Sequence, residues 1–363
     1  MLEEALKMVN VIEESGFQAY LVGGFVRDYI LGIDSTDIDI NTNATPKQLK
    51  EIFNDVYLPS TDYGSVTVIK KSIRFEITTF RKEFNYKDNR RPSEVHYIDD
   101  LYEDLIRRDF TVNTICMNKD GEIIDLLNGI EDINKRVIKT VGNAYERFSE
   151  DCLRILRAVR FATTLGFTLD KETENAIIST KHLLKNLSYN RKREELDKIF
   201  TNNKTREGIS LLIKLGLDKE LELPKLNDIT YTDSLIGIWS ELDVESIYPF
   251  TSNEKSLIED IKSLKDKNVK DPYNLYRYGL YVSCVAGAIK GIDKKDVTAS
   301  FVKLKIHNRS EINIDTKDIM NLLHKEGGSY LKDIYNDLEK EILYNNLGNN
   351  KEDILKYCLK KYK

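Results

Sequence analysis

Cysteine and histidine are both scarce, with four of each in 363 residues. Cys116, Cys152, Cys284 and Cys358 sit in apolar contexts without metal-finger spacing, so they read as reduced core thiols rather than zinc ligands. The histidines (His96, His182, His307, His324) are dispersed, and none is followed by Asp, which removes a metal phosphohydrolase site. No run approaches 18 consecutive apolar residues, so no membrane span is expected, and the acidic opening residues argue against a signal peptide. A Gly-x-x-x-x-Gly-Lys-Ser/Thr loop is missing, which argues against a P-loop ATPase. Excess positive charge is missing too: the net charge is −5. A nucleic-acid partner would therefore need a local basic stripe. No repeat period and no low-complexity tract stands out. What remains, 41% hydrophobic and 32% charged residues, is a soluble globular chain long enough for two or more domains.

The most informative stretch is residues 20–41. An apolar run (Tyr20–Val22) leads into Gly23 and Gly24, a helical stretch carries Arg27 and Asp28, and a second strand holds Asp37 and Asp39. Paired glycines after a strand let the backbone approach a ligand, and the next helix offers free N–H groups to an anion. On a strand, Asp37 and Asp39 point to one face while Ile38 and Ile40 point to the core. Two carboxylates so placed suit a hard divalent cation such as Mg²⁺, which bridges to substrate phosphates. A phosphate cradle beside a metal dyad is the layout of a phosphoryl-transfer site.

Gly-Gly-x-Val-Arg-Asp followed by Asp-x-Asp resembles the class II branch of the polymerase-β-like nucleotidyltransferases, the family of CCA-adding enzymes (tRNA nucleotidyltransferases) and bacterial poly(A) polymerases. Glu-Asp-x-x-Arg-x-x-Arg-Ala-x-Arg-Phe at 150–161 is similar to that family's nucleotide-recognition pattern, and Arg-Arg-Asp-Phe-Thr-x-Asn at 107–113 to its ribose-binding stretch. Asn190–Leu196 resembles a later neck motif, so the likeness runs through essentially the whole chain. It implies triphosphate binding by Gly23, Gly24 and Arg27, and two Mg²⁺ ions on the catalytic carboxylates Asp37 and Asp39. It further implies nucleotide contact by Arg108, and nucleotide selection by Asp151, Arg154, Arg157 and Arg160. Asp28, Glu76, Asn113 and Glu150 are supporting candidates. On its strand Glu76 shares a face with Arg74 and Thr78: it could be a third carboxylate, although pairing with Arg74 at the surface is slightly preferred.

Taken in order, residues 2–15 carry apolar groups at helical spacing, Thr45-Pro46 opens a helix, and 65–70 with 73–80 read as a hairpin. Residues 81–96 lack periodicity and mix basic with aromatic side chains, which predicts a long functional loop. A further strand pair lies around 118–121. After Gly129 the strand signals disappear, and 131–141, 145–163, 170–185, 190–202 and 205–215 read as helices, followed by six more between 253 and 361. The fold expected is an α+β head (a mixed sheet with flanking helices) and an all-α, elongated neck, body and tail. The divisions are 1–128 (catalytic head), 129–202 (neck, nucleotide selection), 203–300 (body, RNA binding) and 301–363 (tail, tRNA binding).

The helix at 150–162 has an apolar stripe of Cys152, Ile155, Leu156 and Val159, with Arg154, Arg157 and Arg160 opposite and Asp151 one turn from Arg154. A solvated face with an i, i+3 salt bridge explains this helix by itself. The functional alternative is specific. Adenine and cytosine both present an amino donor beside a ring-nitrogen acceptor, so Asp151 can accept and Arg154 donate. Uracil and guanine invert the pattern and would leave groups unpaired, at roughly 1–3 kcal/mol each.

The resemblance implies a cytoplasmic enzyme that adds CCA to the 3′ end of tRNA from CTP and ATP without a template. Asp62-Tyr63-Gly64-Ser65-Val66 stands where bacterial poly(A) polymerases carry an Arg-rich stretch, and 81–96 matches the flexible loop that full CCA-adding members need. An A-adding specialist and a poly(A) polymerase are the alternatives within the family. From other classes, a metal-dependent glycosyltransferase would need a large parallel sheet, and a non-catalytic RNA-binding module a degenerate site. Arg191, Lys192, Arg193, Lys303 and Lys305 are candidates to grip the acceptor stem. Asp125–Gly129 departs from the family's usual loop, which often has Pro and a second Gly.

Overall fold

The computed structural model describes residues 1–53, 56–57, 64–87 and 91–362. Asp62 and Tyr63 lie outside the described residues. The chain divides into two compact units, Met1–Asn227 and Asp228–Lys363.

The first unit opens with α1 (Leu2–Glu14), whose Ala5, Met8, Val9 and Ile12 form its buried stripe. A mixed seven-stranded sheet follows, in the order β3-β4-β5-β2-β1-β8-β9. Its strands are β1 (Ala19–Val22), β2 (Ile38–Thr42), β3 (Val56–Tyr57), β4 (Ser65–Lys70), β5 (Ile73–Thr79), β8 (Cys116–Met117) and β9 (Ile123–Ile124). Only β2 and β5 run parallel; every other pairing is antiparallel. A glycosyltransferase's large parallel sheet is therefore ruled out. Lys71 and Ser72 join β4 to β5 with φ of 52° and 63°, the left-handed pair that matches hairpin twist. Two helices flank these strands: α2 (Gly24–Leu31) and α3 (Pro46–Ile52), the latter closed by a Thr45–Gln48 capping box.

The expectation of a loop over 81–96 is corrected. Arg81–Lys87 (β6) and Arg91–Tyr97 (β7) form their own two-stranded antiparallel sheet. The pairing sets Phe84 opposite Glu94 and Lys82 opposite His96, with the Phe84 and His96 rings 5.4 Å apart. Among the described residues the hairpin pairs with no other strand, so neither face needs an unbroken apolar row, and the period-2 signal that marks a half-buried strand is absent. It leads into α4 (Leu101–Leu105).

The loop at Asp125–Gly129 has a definite geometry. Asn128 adopts φ 59°, a conformation that Asn tolerates as Gly does, and the Asp125 carboxylate accepts the N–H groups of Gly129 and Ile130 at 2.8 Å each. This starts α5 (Gly129–Lys135).

Strands do not vanish after Gly129: β10 (Val137–Ile138) and β11 (Thr168–Leu169) make a short parallel pair. The helix expected over 145–163 is two, α6 (Ala144–Glu150) and α7 (Leu153–Leu165), because Asp151 leaves helical geometry at φ −138°, ψ 98°. The unit ends with α8 (Lys171–Thr180), α9 (Tyr189–Phe200), α10 (Thr205–Lys214) and α11 (Leu217–Glu220).

The second unit is helical among the described residues: α12 (Leu235–Leu242), α13 (Ser252–Lys265), α14 (Pro272–Ile289), α15 (Lys294–Val302), α16 (Thr316–Leu323), α17 (Tyr330–Leu343) and α18 (Lys351–Tyr362). α14 is interrupted at Gly279, whose φ of 74° is non-helical. Two apolar clusters hold the unit, one around Ile261, Leu264 and Val285, the other around Ile319, Leu338 and Ile354.

Candidate active site

Gly23 links β1 to α2 at φ 74°, which favours glycine, and a Cβ there would lie 3.6 Å from both Arg108 Nη1 and Asp39 Oδ2. Asp39 is the second residue of β2, between the buried Ile38 and Ile40; Asp37 is exposed on the residue before the strand. The parallel register of β2 and β5 places Glu76 directly beside Asp39. All three carboxylates line one cavity of about 600 Å³. Arg74 lines it as well, and among the described residues no ion pair joins Arg74 to Glu76, against the sequence preference.

The same cavity is lined by further cations, Arg27, Arg108, Arg157, Arg160 and Lys198, with Asp28 and Asp109 among them. Arg27 is buried; its Nη1 donates to Asn113 Oδ1 at 2.7 Å, and its Nε and Nη2 donate to Asp28 Oδ1 at 2.9 and 2.7 Å. Asn113 in turn donates to Asp109 Oδ1 at 3.1 Å. Arg160 Nε donates to Glu195 Oε2 at 2.6 Å, and Lys198 Nζ reaches the other oxygen of Glu195 at 3.1 Å. Arg108 is less anchored. Its Nη2 is 3.6 Å from Asp104 Oδ2, and its buried Nε has no hydrogen-bond partner among the described residues. A buried donor left without a partner costs about 1–3 kcal/mol, so Arg108 fits a site completed by an anionic ligand.

Electrostatics split the two aspartates. Burial drives the Asp39 pKa up to about 6; Arg108 opposes the shift and the neighbouring Glu76 and Asp37 add to it. Burial acts on Asp109 in the same sense, but the Arg157 guanidinium and the Asn113 and Phe110 donors outweigh it and hold Asp109 at about 2.

The selection residues divide. Arg157 and Arg160 face the cavity, whereas Glu150, Asp151 and Arg154 are not among its lining. Arg154 is buried at the α6–α7 junction: Nη1 donates to Arg147 O at 3.2 Å and Glu150 Oε2 at 3.1 Å, and Nη2 to Arg107 O at 2.8 Å. Asp151 Oδ1 accepts the Leu153 N–H at 3.0 Å. Of the stem-gripping candidates, Lys192 is buried beneath the Tyr189 ring and so leaves the basic stripe, while Lys303 and Lys305 are exposed.

Residues 19–139 match the "Poly A polymerase head domain", residues 166–229 the "Probable RNA and SrmB- binding site of polymerase A", and residues 250–358 a tRNA nucleotidyltransferase domain 2. The CCA-adding enzyme of Anoxybacillus flavithermus (strain DSM 21510 / WK1) is 36% identical, over 98% of this chain and 96% of that protein. This chain belongs to the CCA-adding enzyme family. Among solved CCA-adding enzymes, the one from Bacillus stearothermophilus in complex with CTP superposes with a TM-score of 0.86 at 29% identity, covering 99% of this chain and 96% of that one. The Thermotoga maritima CCA-adding enzyme complexed with tRNA shares the fold, with a TM-score of 0.71 at 20% identity over 100% and 95% of the two chains. No helix among the described residues is long and apolar enough to cross a membrane.

Sequence reading missed three residues that line the cavity, Asp109, Phe161 and Lys198, and Glu195, which holds Arg160 and Lys198 in place. Asp109 and Phe161 stand inside the quoted motifs, which was the available signal. Glu195 and Lys198 come from α9; Glu195 stands inside the quoted neck stretch, whereas Lys198 lies outside every quoted motif.

Proposed function

We infer that this chain adds CCA to the 3′ end of tRNA, taking CTP twice and ATP once without a template and releasing pyrophosphate each time. One observation carries the reading: three carboxylates (Asp37, Asp39, Glu76) and six cations (Arg27, Arg74, Arg108, Arg157, Arg160, Lys198) line one cavity of about 600 Å³, in a chain related to CCA-adding enzymes over 98% of its length.

Asp37 and Asp39 are of the type that suits a divalent cation completed by water and substrate phosphates, although among the described residues no three carboxylates, histidines or cysteines are gathered closely enough to hold a metal by themselves. The donors are all oxygens, and Asp39 is set directly beside Glu76, its pKa raised chiefly by burial with the Glu76 and Asp37 charges adding to it. Asp37 and Asp39 would hold Mg²⁺, two ions by the family pattern, with Glu76 beside them. Bound there, the metal would make the tRNA 3′-hydroxyl oxygen a better nucleophile and stabilise negative charge on the phosphates.

The chain's own residues then have distinct tasks. Gly23 and Gly24 let the backbone approach the triphosphate, and Arg27, Arg108, Arg157 and Arg160 bind it. The hydroxyl oxygen gives up its proton to water and bonds to the α-phosphorus as the bond to pyrophosphate breaks, and the arginines receive the departing charge. Asp28, Asn113 and Asp109 keep Arg27 and Arg157 aimed. Asp151 and Arg154 read the base; Arg154 would exchange its bond to the Arg107 carbonyl or to Glu150 for the ring nitrogen of cytosine or adenine, and Glu150 would steady it.

Residues 1–128 act as catalytic head and 129–202 as neck, with 203–300 and 301–363 as body and tail that contact tRNA. The cytoplasm, where uncharged tRNA is processed, is the compartment this reading implies. The test supplies purified protein and Mg²⁺ with one tRNA ending in no CCA, in C, or in CC, and with labelled nucleotides. Two C and one A added to the bare end establish the activity. A added solely to the CC end would make it an A-adding specialist, and long A tails on any RNA a poly(A) polymerase.

A further inference from the structure

Phe161 lies at the end of the Arg-Ala-Val-Arg-Phe run on α7, is 7% exposed and lines the cavity. Three guanidinium carbons surround its ring: Arg160 at 4.0 Å from the centroid, Arg27 at 5.2 Å and Arg157 at 5.3 Å. They come from two helices far apart in sequence, α2 and α7. Behind it, Phe110 makes an edge contact with the ring at 5.8 Å and 77°, and Phe110 is fully buried. The ring is thus fixed, and three like charges share it.

We propose that Phe161 is a positioning residue for triphosphate binding, orienting Arg27, Arg157 and Arg160 without consuming their N–H groups. The inference rests on the proposal that this cavity receives the nucleotide's triphosphate.

Each guanidinium is tied at its Nε edge to one carboxylate: Arg27 to Asp28, Arg157 to Asp109 and Arg160 to Glu195. That leaves Arg157 Nη1 and both Nη groups of Arg160 with no hydrogen-bond partner among the described residues. A carboxylate or amide at position 161 would accept those N–H groups and compete with a phosphate for them. An aliphatic side chain would fill the volume but leave the three cations to repel one another. An aromatic face does neither: its quadrupole attracts cations, offsets their repulsion and accepts no conventional hydrogen bond. The free N–H edges are thereby kept for an anion.

Fluorinated phenylalanines keep the shape of the ring while removing its negative face in steps. Phe161 is replaced in the full-length protein by mono-, di- and trifluoro-phenylalanine, and dissociation constants are measured for CTP and for inorganic triphosphate. Both should rise with each fluorine, roughly tenfold in total, as expected for loss of a partly desolvated cation–π contact. KM for CTP should rise in the same steps, and circular dichroism should show every variant folded at the assay temperature. A flat series, or a fall in kcat at constant KM, overturns the inference. Arg27→Ala and Arg160→Ala serve as the control. If they leave CTP and triphosphate binding unchanged, the cavity is not the triphosphate site and both readings fall. If they weaken binding while the fluorine series is flat, Phe161 alone is excluded.

Discussion

Asp109 receives Arg157 through a single oxygen: Nε and Nη2 both donate to Oδ2, at 2.8 and 2.6 Å. The other oxygen, Oδ1, accepts from Asn113 and from the Phe110 N–H, so Arg157 is fixed by a carboxylate that is itself fixed. That carboxyl titrates near 2 in the folded chain, against about 3.9 unfolded. A depressed carboxyl contributes stability fully above the unfolded value and loses it as pH falls toward the folded one. The contribution is about 2 kcal/mol, lost between about pH 4 and pH 2. Urea unfolding of the wild type and Asp109→Asn across pH 2–6 should converge at the acid end; a constant gap would remove the linkage.

Asp39 has the opposite sign. Its folded pKa of about 6 lies above the unfolded value, so keeping it ionised at neutral pH costs stability, and the metal-free protein weakens as pH rises from about 4 to 6. Asp39→Asn should therefore unfold at higher urea than wild type at pH 7 without metal, by about 2 kcal/mol. The same change should reduce nucleotide transfer by about a thousandfold or more while tRNA binding persists. Residual transfer near the wild-type level would refute Asp39 as a metal ligand.

Base choice is expected to reside at the α6–α7 junction. Asp151→Ala or Arg154→Ala should relax discrimination against UTP by roughly tenfold to a hundredfold, the worth of one or two unpaired polar groups. Because Arg154 also ties the junction to the Arg107 carbonyl and Asp151 accepts the Leu153 N–H at the start of α7, both changes should lower stability as well, Asp151→Ala by about 0.5–2 kcal/mol. Unchanged rejection of UTP in both variants would end the base-reading role.

Exposed cations on the second unit give a salt-dependent prediction. If Lys303 and Lys305 meet RNA phosphates, the Lys303→Ala/Lys305→Ala double variant should bind tRNA more weakly. The slope of log affinity against log salt should become shallower by about one per lost contact. An identical slope would place both lysines off the interface.

Gly129 is a packing glycine rather than a site residue. A Cβ there would come 2.3 Å from the Thr111 carbonyl oxygen and 2.8 Å from Ile115 Cγ1. Gly129→Ala should destabilise the first unit by about 2–3 kcal/mol through forced displacement of backbone. Transfer measured well below the melting temperature should retain its nucleotide preference.

Much of the site was legible in local pattern. Asp37, Asp39, Gly23 and Arg27 lie within one strand–turn–helix–strand unit, where periods of 2 and 3.6 fix which side chains face together. The tail helices and the Thr45 cap were equally local. The hairpin at 81–97 was not, because a two-stranded sheet standing apart needs no apolar row. Nor was the break at Asp151, since its motif reads as one continuous helix.

By itself the sequence determined the family, the carboxylate dyad, the arginines on α7 and the α+β-then-helical order, all properties of residues close in the chain. Tertiary structure alone decided that Glu76 stands beside Asp39 and not against Arg74, because that depends on the register of two strands more than thirty residues apart. It likewise decided that Arg154 turns toward the Arg107 carbonyl while Arg157 and Arg160 face the cavity, and that α9 supplies Glu195 and Lys198. It brought three arginines around Phe161. These are encounters between segments distant in sequence, set by packing and burial, and no periodicity along the chain encodes them.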